Sequence, residues 1–493
     1  MRRWALLIGS AVLFALSACP AAAGDGDTLR LTLQEAILTA LERNPEFTIQ
    51  RYRPSILRTS VAEQMAAFEP SLTASYSREK SFVQRFLGTR PQPFEMTTRR
   101  TGYNAALATS LPTGTLVSFE ASMSGTTTNI YLPQYAGSIG FTVTQPLLRG
   151  FGFCATLASL RRARLDLEIS RYELKALAER LVQDVEASYW GVYLAQRELE
   201  IRKQSLDLAE RQLAESQERV AVGKLSELEL ASVRAEVARR RSDLINAESA
   251  YEQARLNLLY VLNPEEANWQ IVPLPIDPPS LRADSLEPLE VHLELAKRHR
   301  PDLAQARLAL QQGKLEVART RNGLLPRLDL LITMGRTSYS RAFKEATPDP
   351  SSPFYVLTTG VSFEMPVIDL RARAQYSRAL KTREQLELAL ANMERLVEKD
   401  VRSAYIEVQR TRQQIHASQE ARALQEKNLQ AEVEKFRVGK STNLLVLQVQ
   451  RDLVSSQLAE VRAIVDYLSA LTNLYVMEGT LLERRGIEVP PEL

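Results

Sequence analysis

The stretch KFRVGKSTNLLV, Lys435 to Val446, decides how this chain folds. It interrupts what otherwise reads as one continuous helix. The triplet Val-Gly-Lys already stands at 222–224, inside ERVAVGKLSELELA, 216 residues earlier. Glycine permits a left-handed backbone at a helix end. Ser226 and Thr442 are placed to cap the helix that follows. Two identical interruptions at this distance ask for a common cause.

Upstream of each triplet lies a long helical pattern, about 155–220 and about 371–436. In the first, Val185, Val192, Leu199, Leu206, Leu213 and Val220 recur every seven residues. In the second, Val401, Val408, Ile415, Leu429 and Phe436 keep that spacing, with Arg422 as the one break. Sustained heptads mean coiled-coil packing. Small residues between them, such as Ser188, Ala195, Ala209 and Ser216, permit close approach. Helices of this length are about 100 Å long, too long for a compact domain.

The match between the two regions extends over most of the chain. Pro45 aligns with Pro301 and Pro70 with Pro326. Pro146 aligns with Pro366. Asp184, Val185 and Tyr189 align with Asp400, Val401 and Tyr405. We therefore expect two internal repeats. The first covers 28–262, with a helix, barrel strands within 71–146 and a long helix hairpin at 155–262. An equatorial connector covers 263–300. The second repeat covers 301–478, with barrel strands within 327–366 and a hairpin at 371–478. A C-terminal tail covers 479–493. In each half a short helix (about 45–68, about 301–325) and the helix after the triplet (about 224–262, about 441–478) together match the long helix. They can stack end to end beside it. One chain then supplies four rods about 100 Å long.

Period-2 alternation marks strands at 71–77, 103–111, 115–123, 138–144, 327–334 and 355–365. Each approximates the nine to eleven residues that a tilted strand needs to cross a bilayer. A soluble sandwich has strands of similar appearance. The secretion signal and the long helices favour a membrane barrel. The segments 28–44, 263–300 and 479–493 are expected to form a collar around the middle. VPLPIDPPS (272–280) suits an extended connector.

Arg2 and Arg3 precede an apolar run from Trp4 to Leu16, which reads as a secretory signal peptide. Two cleavage readings stand. Leu16-Ser17-Ala18-Cys19 resembles a bacterial lipobox, with lipidation at Cys19 and removal of 1–18. Ala21-Ala22-Ala23 suits ordinary cleavage after 1–23. Both leave Cys154 without a partner. Lys and Arg (62) nearly balance Asp and Glu (59) for a net charge of +3, which implies no attraction to nucleic acid.

Enzymatic chemistry finds no support. VGKS at 438–441 is not a phosphate loop, because Glu434 stands where that motif needs glycine. RGFGF (149–153) is a turn leaving a strand. The histidines His292, His299 and His416 read as solvent-exposed. His292 and His299 lie about 10 Å apart on a helix, too far to share one metal. No catalytic residue, metal site or cofactor is expected.

The signal peptide, the two-fold repeat, the junctions FEPSL (68–72), LLPRL (324–328) and QPLLRG (145–150), and the paired VGK breaks form an ordered set. In that set the chain resembles the TolC-type outer membrane efflux family over nearly its whole mature length. The resemblance implies an α+β membrane protein. A homotrimer shares one transmembrane β-barrel, continued by a long periplasmic α-helical coiled-coil barrel. Twelve rods about 10 Å apart make a ring about 38 Å across between axes. The resemblance implies outer membrane lipid, a periplasmic adaptor protein and an inner membrane pump as partners. It makes Val222, Gly223, Lys224 and Ser226, and Val438, Gly439, Lys440, Ser441 and Thr442, the periplasmic tips where the adaptor docks. It makes Glu227, Glu229, Asn443, Leu445 and Gln448 the gate candidates. Some members carry a ring of carboxylates past the glycine. Here the sixth position is Glu229 in one copy and Leu445 in the other, and the ninth is Ser232 and Gln448, so that ring is half present. Members usually contribute four strands per chain, and 103–123 is an additional hairpin, either in the barrel or outside it. The implied function is a passive exit duct for small molecules delivered by the pump. The exit duct of a type I protein or peptide secretion system is the alternative within the family, and a periplasmic coiled-coil scaffold without a channel is the alternative outside it.

Overall fold

The computed structural model describes residues 28–86, 92–222, 226–263, 269–279, 286–347, 351 and 353–487. Cys19 and both cleavage sites lie outside them. Among the described residues no helix is long and apolar enough to cross a membrane.

Two long helices form the spine. Helix α4 (Ala158–Ala221) has 64 residues and α8 (Leu370–Arg437) has 68, each about 100 Å long. Helix α5 (Glu227–Leu262) returns along α4, and α9 (Asn443–Glu478) along α8. Helices α2 (Pro45–Ala66) and α7 (Pro301–Gly323) cover the remainder of α4 and α8. The heptads explain the pairing: Val185, Val192, Val401, Val408 and Ile415 are buried. Arg422, the break in the second heptad series, bridges α8 to Glu460 of α9 at 2.7 Å.

The short and returning helices meet end to end. Asn44 donates to the carbonyl of Val261 (3.2 Å), and Asn263 donates to that of Arg43 (3.1 Å). The second joint is tighter. Gly479 has φ +73°, and a Cβ there would come within 2.7 Å of the His299 carbonyl oxygen.

A waist surrounds these joints. Strand β1 (Thr28–Leu31) pairs in parallel with β6 (Val272–Pro275), so VPLP is extended as expected. Helix α1 (Leu33–Arg43) starts with a capping box in which Thr32 and Glu35 each bond the other's backbone N–H. Tyr189 of α4 is fully buried, donates to the Leu31 carbonyl (3.1 Å) and accepts from the Asp277 N–H (3.2 Å). Ile37, Val185, Leu258 and Leu262 share this core with Leu481 and Leu482 of α10 (Leu481–Arg484). One expectation fails here. His292, on α6 (Leu289–His299), is buried rather than exposed, and its Nδ1 lies 2.5 Å from a carboxylate oxygen of Glu478 on α9. Four residues after it, Ala296 is also buried, so both stand on the inward face of α6.

The strands form one antiparallel sheet: β2 (Ser71–Arg85), β3 (Phe94–Ser110), β4 (Leu116–Thr128), β5 (Gln134–Pro146), β7 (Arg327–Ser340) and β8 (Tyr355–Glu364), in the order β2-β3-β4-β5-β7-β8. Most are longer than their alternation suggested. The additional hairpin lies inside the sheet as β3 and β4, between β2 and β5. Residues paired across strands share a face. Leu72, Leu107, Phe119, Phe141, Met334 and Leu357 form one row across all six strands. The neighbouring row on the other face is Ser71, Ala108, Ser118, Thr142, Thr333 and Thr358. Along these rows one face is thus apolar and the other is polar and small, and Arg100 and Glu120 add charge to the polar one. Tyr76, Tyr103 and Tyr135 rim the apolar face, where the rings of Tyr76 and Tyr103 meet at a tilt with centres 5.1 Å apart.

The short helix α3 (Phe153–Thr156) joins this sheet to α4. The turn between β3 and β4 rests on that junction. The Gly152 N–H donates to the Thr113 carbonyl (3.0 Å) and Thr115 donates to Gln145 (2.5 Å). Gly114 has φ +91°, and a Cβ there would fall 2.2 Å from the Gly150 carbonyl oxygen.

Candidate docking tips and gate

The helix hairpins end far from the sheet, and the turn between α8 and α9 is fully described. Helix α8 stops at Val438. The Lys440 N–H donates to the Lys435 carbonyl (2.8 Å) and the Gly439 N–H to the Phe436 carbonyl (3.1 Å). Gly439 has φ +75°. This is a Schellman ending, which needs a residue free of the Cβ penalty at that position. Thr442 then accepts from the Leu445 N–H and starts α9. The helix begins two residues later than expected because Ser441 and Thr442 belong to the cap. Ser441 donates to Glu432, which also pairs with Lys435 (3.0 Å). The Ser441 hydroxyl, then Lys435, hold the Glu432 carboxyl below its ordinary value.

At the other tip, Val222 ends α4 and Ser226 caps α5, accepting from the Glu229 N–H (3.2 Å). Gly223 and Lys224 lie outside the described residues. Glu227 and Glu229 occupy the first turn of α5, exposed, where the helix dipole favours negative charge. Val438, Gly439, Lys440, Leu445 and Gln448 are exposed as well, so the tips present Glu229 and Leu445 at equivalent positions.

Asn443 differs from the other gate candidates. It is buried and accepts from Gln212 of α4 at 2.6 Å. It joins the two hairpins instead of lining open space. A second cross-link lies higher. Arg240 of α5 is 4% exposed and donates to the Ser205 carbonyl of α4 (2.8 Å), to Glu236 (3.1 Å) and to Gln450 of α9 (3.0 Å). Arg451 of α9 lies 3.8 Å from Glu236. The Arg219 guanidinium stands over the Phe436 ring at 5.6 Å and links α4 to α8 just above the tips. These contacts escaped sequence reasoning. A signal was present: Leu230, Val233, Val237 and Ala247 form an apolar seam of α5 that Arg240 interrupts, as Arg422 interrupts the seam of α8.

A family model described as outer membrane efflux protein matches residues 36–263 and 292–480. The chain is 27% identical over 323 residues to the pyoverdine export outer membrane protein OpmQ of Pseudomonas aeruginosa, covering 65% of this chain and 66%, just under two thirds, of that one. It is 24% identical over 364 residues to the outer membrane protein TolC of Escherichia coli, covering 68% and 71%. The solved structure of the outer membrane protein VceC of Vibrio cholerae superposes with a TM-score of 0.66 at 15% identity, covering 91% of this chain and 96% of that one, and so shares its fold. The paired helix hairpins, the two-faced sheet and the match over both halves of the sequence place this chain in the outer membrane efflux protein family, which resides in the bacterial outer membrane and extends into the periplasm.

Proposed function

We propose that the chain is the passive exit duct of a tripartite efflux system, carrying small molecules from an inner membrane pump to the exterior. One observation carries this reading most: a single sheet with an apolar and a polar face is continued directly by helix hairpins about 100 Å long. An apolar face with an aromatic rim suits lipid, and a small polar face suits a water-filled lumen. Strands β2 and β8 are open edges, which a bilayer does not tolerate. Three chains related by a closed rotation remove them and form one barrel and one helical tunnel. The adaptor docks at the tips around Val222, Gly223, Lys224 and Ser226, and around Val438, Gly439, Lys440, Ser441 and Thr442. Glu227, Glu229, Leu445 and Gln448 face the opening, while Asn443 governs it through Gln212.

Detergent extraction of outer membranes should yield a stable trimer that conducts ions when reconstituted in planar bilayers. A soluble extended rod without conductance would overturn the duct. In the reconstituted trimer, Glu229→Gln should lower cation selectivity, and unchanged selectivity would remove Glu229 from the gate.

A further inference from the structure

We infer that the exit of this duct is an eighteen-stranded barrel as wide as the helical tunnel beneath it, so that cargo meets no narrowing at the membrane. The inference rests on the trimeric duct proposed above and concerns its bore. Each chain supplies six strands in one sheet. At a spacing of about 4.8 Å and a tilt of about 40°, six strands occupy about 38 Å of circumference. Four rods at about 10 Å occupy about 40 Å. The two arcs agree to about 2 Å. Without β3 and β4 the sheet would occupy about 25 Å, and the wall would taper sharply where sheet meets helices. Three six-stranded sheets close at a backbone diameter of about 36 Å, whereas three four-stranded sheets close at about 24 Å.

Three observations place the hairpin in the wall. Its register continues both faces of the sheet. Tyr103, Ala105 and Leu107, with Val117, Phe119 and Ala121, extend the apolar face. Ser118 and Ser122 extend the polar one. On the polar face Ser122 bonds Ser138 of β5 at 2.7 Å. Its turn is held against the strand-to-helix junction through Thr113 and Gly114. On the polar face Gly140 and Gly335 pair beside Thr142 and Thr333, with Arg100 and Glu120 among its long, charged side chains.

Electron cryomicroscopy of the trimer in lipid nanodiscs should show eighteen strands and a barrel about 36 Å across. A trimer with twelve strands and residues 94–128 outside the wall would overturn this inference and leave the duct standing. A chain that forms no membrane trimer would sink both. Thiol labelling gives a second test in a Cys154→Ser background, with reconstituted trimers and a membrane-impermeant maleimide. Ser118→Cys and Ser122→Cys should label at least tenfold faster than Phe119→Cys and Ala121→Cys. Equal labelling of all four would place the hairpin outside the lipid and overturn the wide barrel.

Discussion

Arg240 of α5 donates to Gln450 of α9 across 3.0 Å, and both side chains are buried. With Gln212–Asn443 and Arg219–Phe436, this contact couples the two helix hairpins. A charge in such a position is held by its partners, and its removal leaves Glu236 buried with Arg451 at 3.8 Å. Arg240→Ala should therefore cost about 3 kcal/mol, near the lower end for a broken buried pair. Gln450→Ala should cost about 1 kcal/mol. Thermal unfolding of the two single variants and the double variant measures the coupling directly, and additive losses would disprove it.

Glu179 gives a pH dependence. The residue is 2% exposed, and burial pushes its carboxyl pKa up from 4.5 to about 7, against the lowering effect of Lys175. Between those two values the folded chain binds more protons than the unfolded chain. Stability attributable to this group thus falls as pH rises from about 4.5 to about 7 and is flat above. Glu179→Gln should remove that slope and gain about 3 kcal/mol at pH 8, with no gain at pH 4.5. Unfolding midpoints at the two pH values check both halves.

Gly439 and the turn it makes can be tested without a steric clash, since a Cβ there meets open space. Gly439→Ala should cost about 1 kcal/mol from the left-handed backbone alone. Gly439→Asn should cost less. Equal stability of all three proteins would mean that this φ is not maintained.

Gly114→Ala is expected to be far more damaging, because its Cβ would lie 2.2 Å from a backbone oxygen. Trimer recovered from the outer membrane should drop severalfold. Gly360→Ala, in β8 with nothing within 4 Å, is the matched control and should assemble normally.

Much of the fold was legible because burial repeats at short range. Val185, Val192, Val401, Val408 and Ile415 announce themselves at seven-residue spacing, and the two Val-Gly-Lys triplets mark where the rods end. Leu199, Leu206 and Leu213 carry the same spacing, yet they are only half-buried in one chain. What escaped depends on distant partners. His292 gave no sign of burial because Glu478 stands 186 residues away. Asn443 meets Gln212 across 231 residues, and Arg240 meets Gln450 across 210. Alternation showed that β3 and β4 are strands, but the same pattern suits a ribbon inside or outside a wall. The pairing of β2 with β3 and of β4 with β5 puts them inside the sheet.

The waist has a consequence for how the chain is made. Leu31 shares its core with Leu481 and Leu482, and β1 needs β6 as its partner. A secreted chain emerges with its N-terminus first, so β1 and α1 wait for hundreds of residues before their surroundings exist. Contacts this remote along the chain make closure slow. The waist is also sealed late: Leu481 and Leu482 of α10 join a core whose first members, Leu31 and Ile37, lie hundreds of residues earlier.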